Sequence, residues 1–133
     1  MQRILVAYDG GEPAHRALDA AIELAREFDA TLSVVSVVPV HPGRAPFDPW
    51  DDQVVHEGQL EEARQILAAR GVRAEFIQPT GDPAKAIERV AQSGEYDTIV
   101  VGSRGLSAAE RFFQGSVSEH VATHAKATVI VAR

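Results

Sequence analysis

The chain has 133 residues, 45% of them apolar, a net charge of −6, no cysteine and only two lysines, Lys85 and Lys126. That size suits one domain over residues 1–133 with a real core, and the acidic balance argues against a nucleic-acid or anionic-membrane surface, since both reward clustered Lys and Arg. Without cysteine there is no disulfide, thiolate catalysis or Cys-based zinc site, and no apolar run approaches a membrane span of about 18 residues or a secretion signal, so a soluble, cytoplasmic protein is expected.

The first strand covers residues 3–8, Arg-Ile-Leu-Val-Ala-Tyr, apolar on both faces and therefore central. Asp9-Gly10-Gly11 ends it, and a helix is expected from Glu12 to Phe28, with Pro13 in its first turn and Ala14, Leu18, Ala21, Ile22 and Ala25 as its apolar stripe. A second strand, Thr31 to Val38, runs into a segment holding Pro39, Pro42, Pro46 and Pro49, which reads as irregular: a packed surface loop or a lid over a site at the strand ends. A second helix starts near Asp51 or Gly58 and ends at Arg70, with Leu60, Ala63, Ile66 and Leu67 inward and Gly71 just past its end. Val72 to Ile77 alternates as a half-exposed edge strand. Asp82 and Pro83 then cap and open a third helix whose inward residues are Ala86, Ile87, Val90 and Ala91.

Thr98 to Val101 is a buried, β-branched fourth strand; a fourth helix runs from Ser116 to about Ala125, and Thr128 to Ala132 is the fifth strand. Alternation of this kind predicts an α/β fold: a doubly wound, five-stranded parallel sheet in the order 3-2-1-4-5, with helices on both faces. In such a sheet, ligands bind at the carboxyl ends of the strands where the winding reverses. That crevice would bring the Asp9 loop opposite Gly102, with the end of the second strand, at Val37 and Val38, alongside.

The stretch from Gly102 to Ser118 carries the most specific chemistry. Gly102-Ser-Arg-Gly105 is followed by nine residues and then Gly115-Ser116, between a strand and a helix. The chain is expected to turn at Gly102, glycines permit the positive φ of a backbone anion nest, and Gly115 lets a ligand approach the helix N-terminus, where unpaired N–H groups favour phosphate. Ser116 and Ser118 add hydroxyl donors, and Arg104 inside the nest would neutralise phosphate charge, whereas Arg111 reads as a surface residue. The same glycines would equally serve a loop that binds nothing.

Asp9 is a turn residue on the bland reading; in the crevice it suits a ribose hydroxyl, an adenine amino group or a phosphate-bound divalent ion better than bare phosphate. His120 and His124, one helical turn apart, read as amphipathic helix residues more readily than as metal ligands. There is no P-loop lysine, no Gly-x-Ser-x-Gly elbow and no dinucleotide fingerprint after the first strand. A response-regulator receiver is rejected too, because Gln78-Pro79 and Arg133 stand where its acidic phosphoacceptor and its lysine belong.

Four stretches resemble the universal stress protein family, and the likeness covers essentially the whole chain. They are Ile4-Leu-Val-Ala-Tyr-Asp-Gly10, Gly81-Asp-Pro-Ala84, Tyr96-Asp-Thr-Ile-Val-Val-Gly-Ser-Arg-Gly-Leu-Ser107, and Gly115-Ser-Val-Ser-Glu-His-Val-Ala-Thr-His-Ala125. The Gly-x2-Gly-x9-Gly-Ser/Thr pattern separates the family's ATP-binding members from the others, and here it is complete. The resemblance implies an adenine-nucleotide-binding, usually homodimeric stress-response protein with an adenine-nucleotide α-hydrolase-like fold. Ala7, Tyr8 and Asp9 would line the nucleoside pocket and the Val37 backbone would meet adenine. Val101, Gly102, Arg104, Gly105, Gly115, Ser116, Val117 and Ser118 would surround ribose and phosphates, with Mg²⁺ or Mn²⁺ bridging phosphate oxygens. Gly11 and Ala14 stand where members often have serines. Dimerisation would run through the fifth strand, an apolar edge without Pro or Lys to guard it. The function implied is regulatory ATP binding read by a protein partner, without catalytic residues. The alternative is an adenine-nucleotide hydrolase or transferase with slow turnover.

Overall fold

The structure, a computed structural model, describes residues 1–39, 49–102 and 127–132. Within them the chain runs β1 (Arg3–Ala7), α1 (Glu12–Phe28), β2 (Thr31–Val35), β3 (Val38–Pro39), α2 (Pro49–Ala69), β4 (Glu75–Ile77), β5 (Thr80–Gly81), α3 (Pro83–Ser93), β6 (Thr98–Gly102) and β7 (Thr128–Ala132). Five parallel strands form one sheet in the order β4-β2-β1-β6-β7, which is the order expected from the sequence. The fourth helix expected at 116–125 lies outside the described residues, as do Pro42 and Pro46.

The two faces of the sheet follow from the period-2 alternation of strand side chains. Ile4, Val6 and Tyr8 of the first strand region join Leu32, Val34 and Val100 beneath α1 and α2, against Ala14, Leu18, Ile22, Ala63 and Leu67. Leu5, Val35, Ile99 and Val101 take the opposite face, against Ala84, Ile87 and Ala91 of α3. Both faces of β1 and β6 are covered, which is why these strands read as continuous apolar runs rather than alternating ones.

Local chemistry sets the boundaries. Gly11 occupies the N-cap of α1 without a side-chain bond, and Asp29 closes that helix in the left-handed region at φ 51°. Asp82 caps α3 by accepting the Lys85 N–H at 3.2 Å, ahead of Pro83. The second strand is shorter than expected. It ends at Val35, and after Ser36 and Val37 the chain makes a separate two-residue strand, Val38–Pro39, paired with Thr80–Gly81. Pro39 is tolerated there because a two-residue pair at the sheet margin needs little from the missing N–H. The edge strand β4 likewise begins at Glu75 rather than Val72. Pro49, expected in irregular chain, is instead the first residue of α2, where its fixed φ suits the opening turn. The helix passes straight through Gly58.

At the amino ends of the strands, Asp97 ties three of them together. Its carboxylate accepts the N–H groups of Gln2 (2.7 Å) and Arg3 (3.1 Å) and the Thr98 hydroxyl (2.9 Å), while its carbonyl accepts the Thr128 N–H. Burial alone would raise its pKa, but these hydrogen bonds to the ionised form outweigh that and hold it below the usual carboxylate value. Beside it, the Arg3 guanidinium lies 4.8 Å from the Tyr96 ring centroid, and the buried Tyr96 hydroxyl donates to Ser33 Oγ at 2.7 Å.

Gly58 is exposed, and a Cβ there would meet nothing within 4 Å. Gly58→Ala should therefore stabilise the protein by roughly 0.5–1 kcal/mol through helix propensity, checked by the urea midpoint; a lower midpoint would mean that α2 does not run uninterrupted through this position.

Candidate functional site

The winding reverses between β1 and β6, which lie side by side with Ile4 opposite Thr98 and Val6 opposite Val100. From β1 the chain crosses through α1 to β2 on one side, whereas β6 is followed on its other side by β7. The carboxyl ends of β1, β2 and β6 therefore face one crevice. Of the sequence-predicted site residues, Ala7, Tyr8 and Asp9 stand at the end of β1, Val37 just past β2, and Val101 and Gly102 at the end of β6. Arg104, Gly105, Gly115, Ser116, Val117 and Ser118 lie outside the described residues.

Gly102 earns its place for a reason the sequence did not show. It is not among the glycines with positive φ; it is the last residue of β6, in register with Ala132. A Cβ there would fall 2.5 Å from the carbonyl carbon of Pro13 and 2.9 Å from its Cβ. The end of β6 and the first turn of α1 are in backbone contact, so the crevice wall on this side is the α1 N-terminus itself. The first two N–H-bearing turns of that helix start within the same few residues as the Asp9 loop.

Asp9 makes the turn that the bland reading gives it. Its Oδ1 accepts the Gly11 N–H at 2.9 Å, and Gly10 between them takes φ 84°, a conformation that only glycine adopts without strain. Asp9 is nonetheless exposed, and among the described residues its Oδ2 has no hydrogen-bond partner. Both roles are compatible: one oxygen shapes the turn and the other faces solvent at the crevice.

Val37 offers backbone. In a parallel strand, successive residues direct their hydrogen bonds alternately to the two neighbours. Val35 carbonyl accepts the Tyr8 N–H on the β1 side, and Ser36 and Val38 donate to Ile77 and Pro79 on the β4 side. Val37 is thus left to face the β1 side just where β1 has turned away at Asp9. Among the described residues its N–H and C=O have no partner. A donor and an acceptor one peptide apart, at the mouth of the crevice, match the hydrogen-bonding edge of a flat heterocycle.

The Tyr8 side chain does not enter the crevice. It is buried under α1 and α2, its hydroxyl donating to Glu62 Oε1 at 2.9 Å and its ring edge-on to His15. Burial, followed by the hydrogen bond and charge of Glu62 and the charge of Asp9, pushes its pKa well above that of an ordinary phenol. At the crevice Tyr8 can contribute backbone only. His15 and Glu62 had no place in the sequence reading, because their meeting depends on the packing of α2 over β1 and no local pattern announces it. Among the described residues, no three His, Asp or Glu side chains converge as a metal-ligand set.

The close approach at Gly102 sets a measurable cost. Gly102→Ala should destabilise the protein by about 1–3 kcal/mol, the usual range for overpacking, in the absence of any ligand; unchanged thermal and urea unfolding would show that β6 and α1 are not in backbone contact.

Comparison with known proteins agrees with this architecture. The universal stress protein YxiE of Bacillus subtilis is 36% identical over 149 residues, covering 98% of this chain and 98% of its own. A crystal structure of a universal stress protein family member from Burkholderia pseudomallei superposes with TM-score 0.72 at 32% identity, over 98% of this chain and 94% of that one. One from Arabidopsis thaliana, described with AMP bound, gives TM-score 0.68 at 25% identity over 99% and 91%. The family model for universal stress proteins matches residues 1–133, and with a five-stranded parallel sheet in this order the chain belongs to the universal stress protein family.

Proposed function

We propose that this protein binds ATP, with Mg²⁺ or Mn²⁺ on the phosphates, in the crevice between the Asp9 turn and the Gly102–Ser118 region, and that occupancy rather than turnover is its function. The observation that carries the reading is Val37, just past the carboxyl end of β2 beside the reversal, whose N–H and C=O have no partner among the described residues. Adenine presents a donor and an acceptor on adjacent positions of one edge, so a single residue's backbone reads it without a charged group. The related Arabidopsis protein, described with AMP bound, supports the same ligand class.

In this reading Ala7, Tyr8 and Asp9 border the nucleoside, Tyr8 through its backbone, and the Oδ2 of Asp9, without a hydrogen-bond partner among the described residues, takes a ribose hydroxyl or a phosphate-bound metal ion. Val101 and Gly102 lead the chain to the phosphates, which Arg104, Gly105, Gly115, Ser116, Val117 and Ser118 hold by N–H, hydroxyl and guanidinium donors. The metal would neutralise phosphate charge there. No sequence element supplies an activating lysine or a base aimed at a water, so hydrolysis is slow at most.

The same reading includes a homodimer. Among the described residues strand β7 is an edge of the sheet, bonded only to β6, and its sequence Thr-Val-Ile-Val-Ala carries no charge or proline to discourage a second copy. A cytoplasmic location and a protein partner that reads the occupied state complete it; among the described residues no helix is long and apolar enough to cross a membrane.

Isothermal titration with Mg-ATP, ADP and AMP, alongside mass spectrometry of nucleotide retained on purification, tests the proposal. The parent should bind adenine nucleotide and release product slowly, and Gly115→Val should weaken ATP by at least about tenfold, the loss of one or two charge-assisted bonds, with the thermal transition little changed. Rapid product formation would favour the enzyme reading, and unaltered ATP affinity in Gly115→Val would remove the phosphates from this motif.

A further inference from the structure

Three titratable side chains from three elements meet beneath the Asp9 turn. The Tyr8 hydroxyl donates to Glu62 Oε1 at 2.9 Å; His15 Nε2 lies 3.0 Å from the same oxygen and 3.2 Å from the Tyr8 hydroxyl. Two lone pairs cannot face each other at 3.0 Å, so Nε2 carries a hydrogen and donates to Glu62. The Tyr8 and His15 rings pack edge to face, with centroids 5.4 Å apart and planes at 86°. Tyr8 is 2% exposed, whereas the His15 and Glu62 side chains are 39% and 47% exposed. One member is therefore locked in the core and the other two remain open to protons from solvent.

The position of this triangle gives it leverage on the crevice. Tyr8 immediately precedes Asp9 in the chain, so what fixes Tyr8 fixes the start of the turn. On the other side of Asp9, the site a Gly10 Cβ would occupy is 3.1 Å from Cγ of Gln59. Gln59 and Glu62 are three residues apart on α2 and so share one face of that helix. Together they bracket Asp9, one holding the residue before it and the other underlying the residue after it.

We propose that Glu62 and His15 are positioning residues for the crevice, acting through Tyr8 to set the Asp9 turn, and that the charge on His15 makes nucleotide affinity depend on pH. The nucleotide part of this inference rests on the ATP-binding reading above; the coupling of His15 to the turn does not. Histidine is the side chain whose charge ordinarily changes nearest neutral pH. Among the described residues the charged side chain bonded to His15 is Glu62 of α2. On α1 itself, Glu12 three residues before and Asp19 four residues after are paired with Arg16 and Arg70. A proton on His15 strengthens its bond to Glu62 and so firms the hold on Tyr8. That tightens nucleotide binding as pH falls and is lost as it rises. The high pKa of Tyr8 keeps its hydroxyl a donor throughout.

The experiment measures Mg-ATP affinity at pH 5.8 and pH 8.0 for the parent, His15→Gln and Glu62→Gln, and records Gly10 and Gly11 amide resonances of nucleotide-free protein over the same range. Phosphate protonation and every other titration cancel in the ratio of parent to His15→Gln. The gain in affinity on acidification should be roughly two- to fivefold larger in the parent than in either variant, the scale of a partly exposed ion pair, and the Gly10 and Gly11 resonances should move with pH in the parent and stay nearly still in both variants. Equal affinity ratios in parent and His15→Gln, or resonances that move equally in all three proteins, would overturn the inference. If nothing binds ATP at either pH, the ATP-binding reading and the affinity dependence both fail, while the resonances still decide whether His15 and Glu62 control the turn.

Discussion

The backbone contact between Gly102 and Pro13 is the constraint on which the candidate site depends. A parallel sheet normally keeps its helices about 10 Å from the strand axes, because side chains fill the gap. Here the last residue of β6 has no side chain and the first turn of α1 comes down onto it, so a Cβ would lie 2.5 Å from the Pro13 carbonyl carbon. The Asp9 turn and the carboxyl end of β6, far apart in sequence, are thereby held side by side.

The two ends of the sheet are built on different terms. At the amino ends, Asp97 spends every acceptor it has on β1, β6 and β7, and Arg3, Tyr96 and Ser33 complete a closed polar network. At the carboxyl ends, Val37 and one oxygen of Asp9 are left unbonded among the described residues. The Tyr8, His15 and Glu62 triangle stiffens the carboxyl end of β1 from below without closing it.

Much of this was legible in the residues. The apolar stripe of α1, the Asp82-Pro83 opening of α3 and the five-strand order follow from periodicity, capping chemistry and the handedness of crossovers, and those depend on neighbours in sequence. The interruption of the second strand at Ser36 was not legible, since Ser-Val-Val continues a β pattern and only the pairing of Val38–Pro39 with Thr80–Gly81 breaks it. Pro49 read as loop because prolines clustered before it, although a proline at a helix start looks the same. Within the site, the adjacency of the Asp9 turn and Gly102 follows from the strand order, whereas the family resemblance places Tyr8 at the nucleoside pocket and strand parity sends its side chain under α2. The close approach at Gly102 was likewise hidden, for a glycine at a strand end is equally consistent with a turn, a nest or a steric contact.

In the binding mode we propose, the reversal crevice holds adenine nucleotide with the base on Val37 and the phosphates over the glycine motif. A crystal structure of the protein grown with Mg-ATP tests it most directly. The adenine edge is expected within about 3 Å of the Val37 N–H and C=O, the usual hydrogen-bond range, with the ribose beside Asp9 and the phosphates along Gly102 to Ser118. Well-ordered ATP bound elsewhere on the molecule, or in the crevice with its phosphates at Val37 and its base at the glycines, would contradict it.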